Sequence, residues 1–297
     1  MHLGRSWDGT PPSAEVAKQH DALIDTALSA GCSQFDHADI YCRGISEELF
    51  GDYLTRHPNL RDTVHLTSKC GIRFADHPHP GDPGRYDFST QHIVSSVEDS
   101  LRRLQTDYLD TLLLHRPDLL GEPQAVAEAF VQLHESGKVR AFGVSNHNAQ
   151  QIRLLQKALP FALTANQLEY SLARPELVSS GAMVDRTDGT YTHADGLLDF
   201  CRLENITVEA YSPLARGSIT TGEAPLPTAV RALATEYGVA PETIACAWIL
   251  RHPAGIVPVT GTTQPDRLKA CLAARELTLS REHWYGLLIA ALGRPLP

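Results

Sequence analysis

Residues 109–115 read LDTLLLH, a short apolar run that stops on a histidine. A run of this length between polar residues suits a strand covered on both faces, which is the condition of a parallel sheet. Working outward, runs of the same make recur: SQFD (33–36), VHLTSK (64–69), VRAFGVSN (139–146), LTANQ (163–167), ITVEAYS (206–212) and GIVPVTG (255–261). Stretches with helical spacing lie between them. Residues 13–31 end on Gly31, which suits a helix C-cap; 89–105 open on Ser89 or Thr90 as N-cap; 122–138 carry Pro123 in the first turn and Gly137 after the last. With HLG (2–4) as a further strand the tally is eight, and eight parallel strands with outer helices form a (β/α)8 TIM barrel. The rival, an open doubly wound sheet, normally shows a G-x-G-x-x-G turn after an early strand, and the chain has none. Residues 240–253 and 280–293 read as further helices, the last closing the chain. Segment 73–88, dense in Gly, Pro, Asp and His, reads as a long irregular loop able to serve as a lid. No repeat or linker interrupts residues 1–297, so a single domain is expected.

Composition narrows the partners. With a formal net charge of -9 and no basic run, the chain is poorly suited to nucleic acid or an acidic membrane surface, and a small molecule is the better partner. Cys32, Cys42, Cys70, Cys201, Cys246 and Cys271 form no C-x-x-C pair and no zinc-ligand spacing. Reduced thiols and a cytoplasmic location are expected, since no export signal or spanning stretch is present. No interface signal is legible, which leaves a monomer as the default.

In a barrel the chemistry gathers at the C-terminal ends of the strands. The polar residues ending these runs are Asp36, Lys69, His115, Ser145 with Asn146, Gln167, Tyr211 with Ser212, and Thr262. Asp36, Tyr41, Lys69 and His115 make chemical sense together. Tyrosine is a poor acid at neutral pH, but an adjacent ammonium stabilises phenolate. Lys69 supplies the ammonium, Asp36 on the next strand holds its charge, and His115 orients a carbonyl oxygen by donating a hydrogen bond.

FDHADIY (35–41), LTSKCGI (66–72), LLLHRPD (112–118), VRAFGVSNH (139–147), ANQLEYS (165–171), AYSPLARG (210–217) and VPVTGTTQPDRL (257–268) follow one another in the order seen in the aldo-keto reductases. From first strand to last helix the chain resembles that family, and within it a bacterial subgroup of poorly characterised NADPH-dependent oxidoreductases. The resemblance implies reduction of an aldehyde or ketone, with Tyr41 as general acid, Lys69 and Asp36 as its tuning pair, and His115 orienting the carbonyl. It implies that Ser145, Asn146 and Gln167 bind the nicotinamide carboxamide and that Tyr211 stacks on the ring. Ser212 and Leu214 would line the pyrophosphate path, with Thr262 and Arg267 near the adenosine end. NADPH is the implied cofactor, and NADH is possible because Gly261 stands where some members carry a lysine for the 2'-phosphate. His37 replaces a usual threonine and Cys42 a frequent glycine. The family's opening hairpin has no counterpart before the first expected strand, so either the barrel floor is open or the true start lies upstream of Met1.

Two other readings compete. A metal-dependent hydrolase on the same barrel would draw on His77 and His79, which sit in a Pro-rich loop, or on Asp36, His37 and Asp39, whose alternation along a strand points them to opposite faces. No metal site is expected. A non-catalytic cofactor-binding subunit is opposed by the intact set of four. Cys42 and Cys70 read as buried free thiols before a redox pair. His2, His134, His193, His252 and His283 read as surface residues. The substrate is left to loops 73–88, 171–195 and 214–227, which carry no motif.

Overall fold

The structure is a computed structural model that describes residues 7, 8, 10, 12–182 and 196–297. The expected strand at 2–4, His2, the floor of the barrel before it, His193 and part of loop 171–195 lie outside the described residues. The chain forms two compact units, Met1–Asn166 and Gln167–Pro297.

The first element among the described residues is α1 (Ala14–Ser29), whose first turn is capped by the Ser13 side chain accepting from the Val16 N–H. Gly31, at φ 73°, then turns the chain into β1 (Gln34–Asp36). After α2 (Ile45–Arg56) come β2 (His65–Cys70), the short β3 (Ile72–Arg73) and β4 (Arg85–Tyr86), α3 (Thr90–Leu104), β5 (Leu109–Leu114), α4 (Pro123–Glu135), β6 (Val139–Ser145) and α5 (Ala149–Gln156). Strands β1, β2, β5 and β6 pair in that order, all parallel. The LDTLLLH run is β5, and each of its six residues is buried, as a strand covered on both faces requires. Its outer cover includes Phe130 of α4 stacked on Phe142 of β6 at 4.2 Å.

Strand β7 (Ala165–Glu169) starts in the first unit, where Thr164 N–H donates to Phe142 O, and ends in the second, where Tyr170 N–H donates to Tyr211 O. The second unit continues with α6 (Glu176–Ser179), α7 (Leu197–Leu203), β8 (Thr207–Tyr211), α8 (Pro225–Tyr237), α9 (Pro241–Leu250), β9 (Val257–Val259), α10 (Pro265–Ala273) and α11 (Arg281–Leu292). Strands β8 and β9 are parallel. The expected closing helix is α11. It is tied to α9 by two reciprocal bonds, Trp248 Nε1–H to Trp284 O at 3.1 Å and Trp284 Nε1–H to Trp248 O at 2.9 Å. The two indoles stack at 5.3 Å.

Two expectations change, and one helix was not foreseen. Segment 73–88 is not wholly irregular: β3 and β4 form an antiparallel ribbon, pairing Ile72 with Tyr86 and Arg73 with Arg85, and Arg73 binds Asp87 at 2.5 Å just beyond it. A ribbon of two residues a side is too short to show alternation. Helix α2 went unread because its first turn buries Ser46 and Glu47, so polar residues occupy its inner face. His252 and His283 are half-buried, and His283 Nδ1 meets the Tyr237 hydroxyl at 2.8 Å.

Candidate active site

Because β1, β2, β5 and β6 are parallel, their last residues share one edge of the first unit's sheet. The ladder runs on past the strands: His37 N–H donates to Thr67 O, Asp39 N–H to Lys69 O, and His115 N–H to Cys70 O. Asp36, Lys69, His115, Ser145 and Asn146 thus end neighbouring strands, as expected.

The Lys69 side chain has no exposed surface. Its Nζ donates to Asp36 Oδ2 at 2.7 Å, to His37 O at 2.8 Å and to the Tyr41 phenol oxygen at 3.2 Å, which matches the three donors of an ammonium. Burial would push this ammonium down, but the Asp36 carboxylate and Tyr41 hold it above the ordinary lysine value. Tyr41 sits where the chain leaves Ile40 and enters a tight turn, Tyr41–Gly44. The His115 ring meets Tyr41 edge-on at 5.7 Å. Burial, aided by the Lys69 charge, pushes His115 down to about 3, so the imidazole is neutral throughout the physiological range. Its buried Nδ1 has no hydrogen-bond partner among the described residues. Asn146, in a left-handed conformation, donates from Nδ2 to Ser145 Oγ at 2.9 Å and to His115 O at 3.3 Å.

In the second unit, Gln167 Nε2 donates to Glu209 Oε2 at 2.8 Å. Tyr211 ends β8; Ser212 follows at φ 55°, and its carbonyl accepts from Ala215 in the turn that buries Leu214. Thr262 Oγ1 accepts from the Gln264 N–H at 3.1 Å, at the start of α10. Arg267, half-exposed, pairs through Nε with Glu242 Oε1 of α9 at 3.3 Å. Nothing lies within 4 Å of a Cβ built on Gly261.

Several functional neighbours escaped the sequence reading. Glu47, wholly buried, accepts from Ser68 Oγ at 2.6 Å and pairs with Arg103 at 2.7 Å, directly behind Lys69 on β2. Asp39, half-buried with its Oδ1 enclosed, lies near this group, and desolvation with the nearby Glu47 pushes its carboxyl up to about 8. Trp7 meets Tyr41 edge-on at 6.5 Å. Glu47 stands 21 positions from Ser68 and 56 from Arg103, so no local motif marks that group. Cys42 and Cys70 are buried free thiols, and burial raises the Cys70 thiol well above its usual value, away from thiolate. His77 and His79 lie exposed in their loop. Among the described residues no group of three His, Cys, Asp or Glu is placed to hold a metal ion, and no helix is long and apolar enough to cross a membrane.

A family model described as "Aldo/keto reductase family" matches residues 1–287. The chain belongs to the aldo-keto reductases. This reductase is 38% identical over 282 residues to the "Uncharacterized oxidoreductase YcsN" of Bacillus subtilis, a match covering 93% of this chain and 89% of the relative. It is 36% identical over 284 residues to the "6-dehydroglucose reductase" of Agrobacterium fabrum, with 95% and 91% covered. Among solved structures, an aldo/keto reductase from Klebsiella pneumoniae in complex with NADP and acetate is similar at TM-score 0.74 and 28% identity, covering 95% of this chain and 88% of that one. The aldo-keto reductase fold is the (β/α)8 barrel read from the sequence, and the chain is an NAD(P)H-dependent oxidoreductase.

Proposed function

We propose that this aldo-keto reductase reduces an aldehyde or ketone to the alcohol, with Tyr41 as the proton donor. The observation that carries the reading is the Lys69 ammonium held between the Asp36 carboxylate and the Tyr41 phenol. The phenol oxygen accepts from Lys69, and its own O–H is the group that donates to the substrate oxygen. The fixed ammonium then stabilises the phenolate that remains. His115 is neutral and presents a ring N–H toward the same oxygen, fixing its direction without adding charge.

The donor set fits a nicotinamide dinucleotide. Ser145 and Asn146 in the first unit, and Gln167 in the second, offer the neutral hydroxyl and amides that a carboxamide needs. In the second unit Tyr211 would cover the ring, Ser212 and Leu214 would line the pyrophosphate path, and Thr262 and Arg267 flank the N-terminus of α10, a site suited to phosphate. NADPH, when bound, supplies the hydride to the carbonyl carbon. The NADP carried by the Klebsiella structure supports this choice. A cytoplasmic monomer organised as one domain, acting on a small carbonyl compound, completes the proposal.

Oxidation of NADPH against a panel of aldehydes, ketones and quinones tests it. Tyr41→Phe is expected to lower turnover by roughly 10²- to 10⁴-fold with cofactor affinity kept. Cofactor binding without turnover of any carbonyl would favour the non-catalytic subunit instead.

A further inference from the structure

Three successive residues after Tyr41 take left-handed backbone angles: Cys42 (φ 52°), Arg43 (φ 57°) and Gly44 (φ 92°). Only glycine adopts this region freely, so the strain at Cys42 and Arg43 must be held by their surroundings. Its effect is to seat Arg43 beside the tyrosine. Arg43 Nε donates to Trp7 O at 3.0 Å, and its guanidinium carbon lies 4.5 Å from the centre of the Phe74 ring. Trp7 in turn meets the Tyr41 ring at 6.5 Å.

The remaining N–H groups of Arg43 meet no carboxylate among the described residues. Among the carboxyl groups that end or follow β1, β4 and β5, Asp36 is engaged by Lys69, Asp87 by Arg73 and Asp118 by the N–H groups of Phe88 and Leu120, while desolvation holds Asp39 toward its protonated form. Arg116, next to His115, is exposed and forms no ion pair among the described residues, and its charge reaches His115. In a chain of net charge -9, two guanidinium groups without counterions among the described residues adjoin the tyrosine and the histidine of the reaction. Such a pair creates a positive potential at the mouth and selects for negative charge.

We propose that Arg43, assisted by the charge of Arg116, is a specificity-determining residue and that the preferred substrates are carbonyl compounds bearing an anionic group on an apolar stem. The stem lies against Trp7 and Phe74 while the anion takes the open N–H groups of Arg43. The proposal rests on the carbonyl-reductase reading and names its substrate class.

The test compares kcat/KM for 3- and 4-carboxybenzaldehyde with that of their methyl esters, using NADPH, in the wild type, Arg43→Gln and Arg43→Lys. The wild type is expected to favour the carboxylates. Arg43→Gln should lower the carboxylate-to-ester ratio about 10- to 100-fold, through KM, the size of one charged hydrogen-bonding contact. Arg43→Lys should restore part of it, and added salt should erode the wild-type preference. Esters reduced as well as the carboxylates by the wild type, or a ratio unchanged in Arg43→Gln, would overturn the proposal alone. Reduction of no aldehyde at all would overturn the reductase reading and the proposal with it.

Discussion

All three ammonium N–H groups of Lys69 are taken, by Asp36, by the His37 carbonyl and by Tyr41. Removing the charge while keeping the stem isolates what that ammonium does. Lys69→Met is expected to abolish most turnover and to change the shape of the pH–rate profile, because the phenolate loses its stabilising cation and Asp36 its partner. Retained cofactor binding shows that the barrel has survived; an unaltered pH profile would show that the ammonium does not tune the tyrosine. Asp36, Tyr41, Lys69 and His115 were legible because each ends or follows an apolar run, and strand ends are where a barrel collects its chemistry. Glu47 and Trp7 were not, since their roles depend on Ser68, Arg103 and Tyr41 reaching them through folding alone.

At the scale of elements, α2 and α3 approach so closely that a Cβ on Gly51 would lie 2.2 Å from Arg103 O and 2.8 Å from the Leu104 carbonyl carbon. Ala is favoured over Gly in a helix by about 1 kcal/mol, yet overpacking against a backbone that cannot step aside costs about 1–3 kcal/mol. Sterics should win: Gly51→Ala is expected to lower the denaturant midpoint, and a rise would mean that the helices can separate freely. Helix α10 gives a second case. Arg267 already holds Glu242, so a 2'-phosphate must compete for it. Arg267→Ala should weaken NADPH binding by about 10-fold and NADH binding little, read by titrating both cofactors. An equal loss for both would remove Arg267 from phosphate recognition. Seven of the eight strands read from apolar runs lie among the described residues and form where expected, whereas the β3–β4 ribbon and α2 escaped because one is too short and the other too polar inside to carry a period.

For the whole molecule, the buried titratable groups set a dependence on pH whose sign differs from group to group. Asp39, at about 8 folded against 3.8 as its ordinary value, keeps its proton in the folded state after the unfolded chain has lost it. Its contribution to stability is therefore full below 3.8 and is lost as pH rises toward 8. His115 at about 3 and His147 at about 4 act in the other direction, losing stability as pH falls below 6.5. Between pH 6.5 and 8 Asp39 acts alone among these three. Asp39→Asn is expected to gain in Tm relative to the wild type across that window, and parallel curves would show that Asp39 is ionised in the fold.

The stacked Trp248 and Trp284 have an optical consequence. The chain holds three tryptophans, and the third, Trp7, is exposed beside Tyr41 in the first unit. In Trp7→Phe every tryptophan photon comes from the second unit, from indoles shielded by their mutual packing and emitting toward the blue. The expected single domain then becomes visible as light: a red shift that coincides, along a denaturant series, with loss of helical circular dichroism reports one cooperative melt. Two separate midpoints would mean that the chain unfolds in halves.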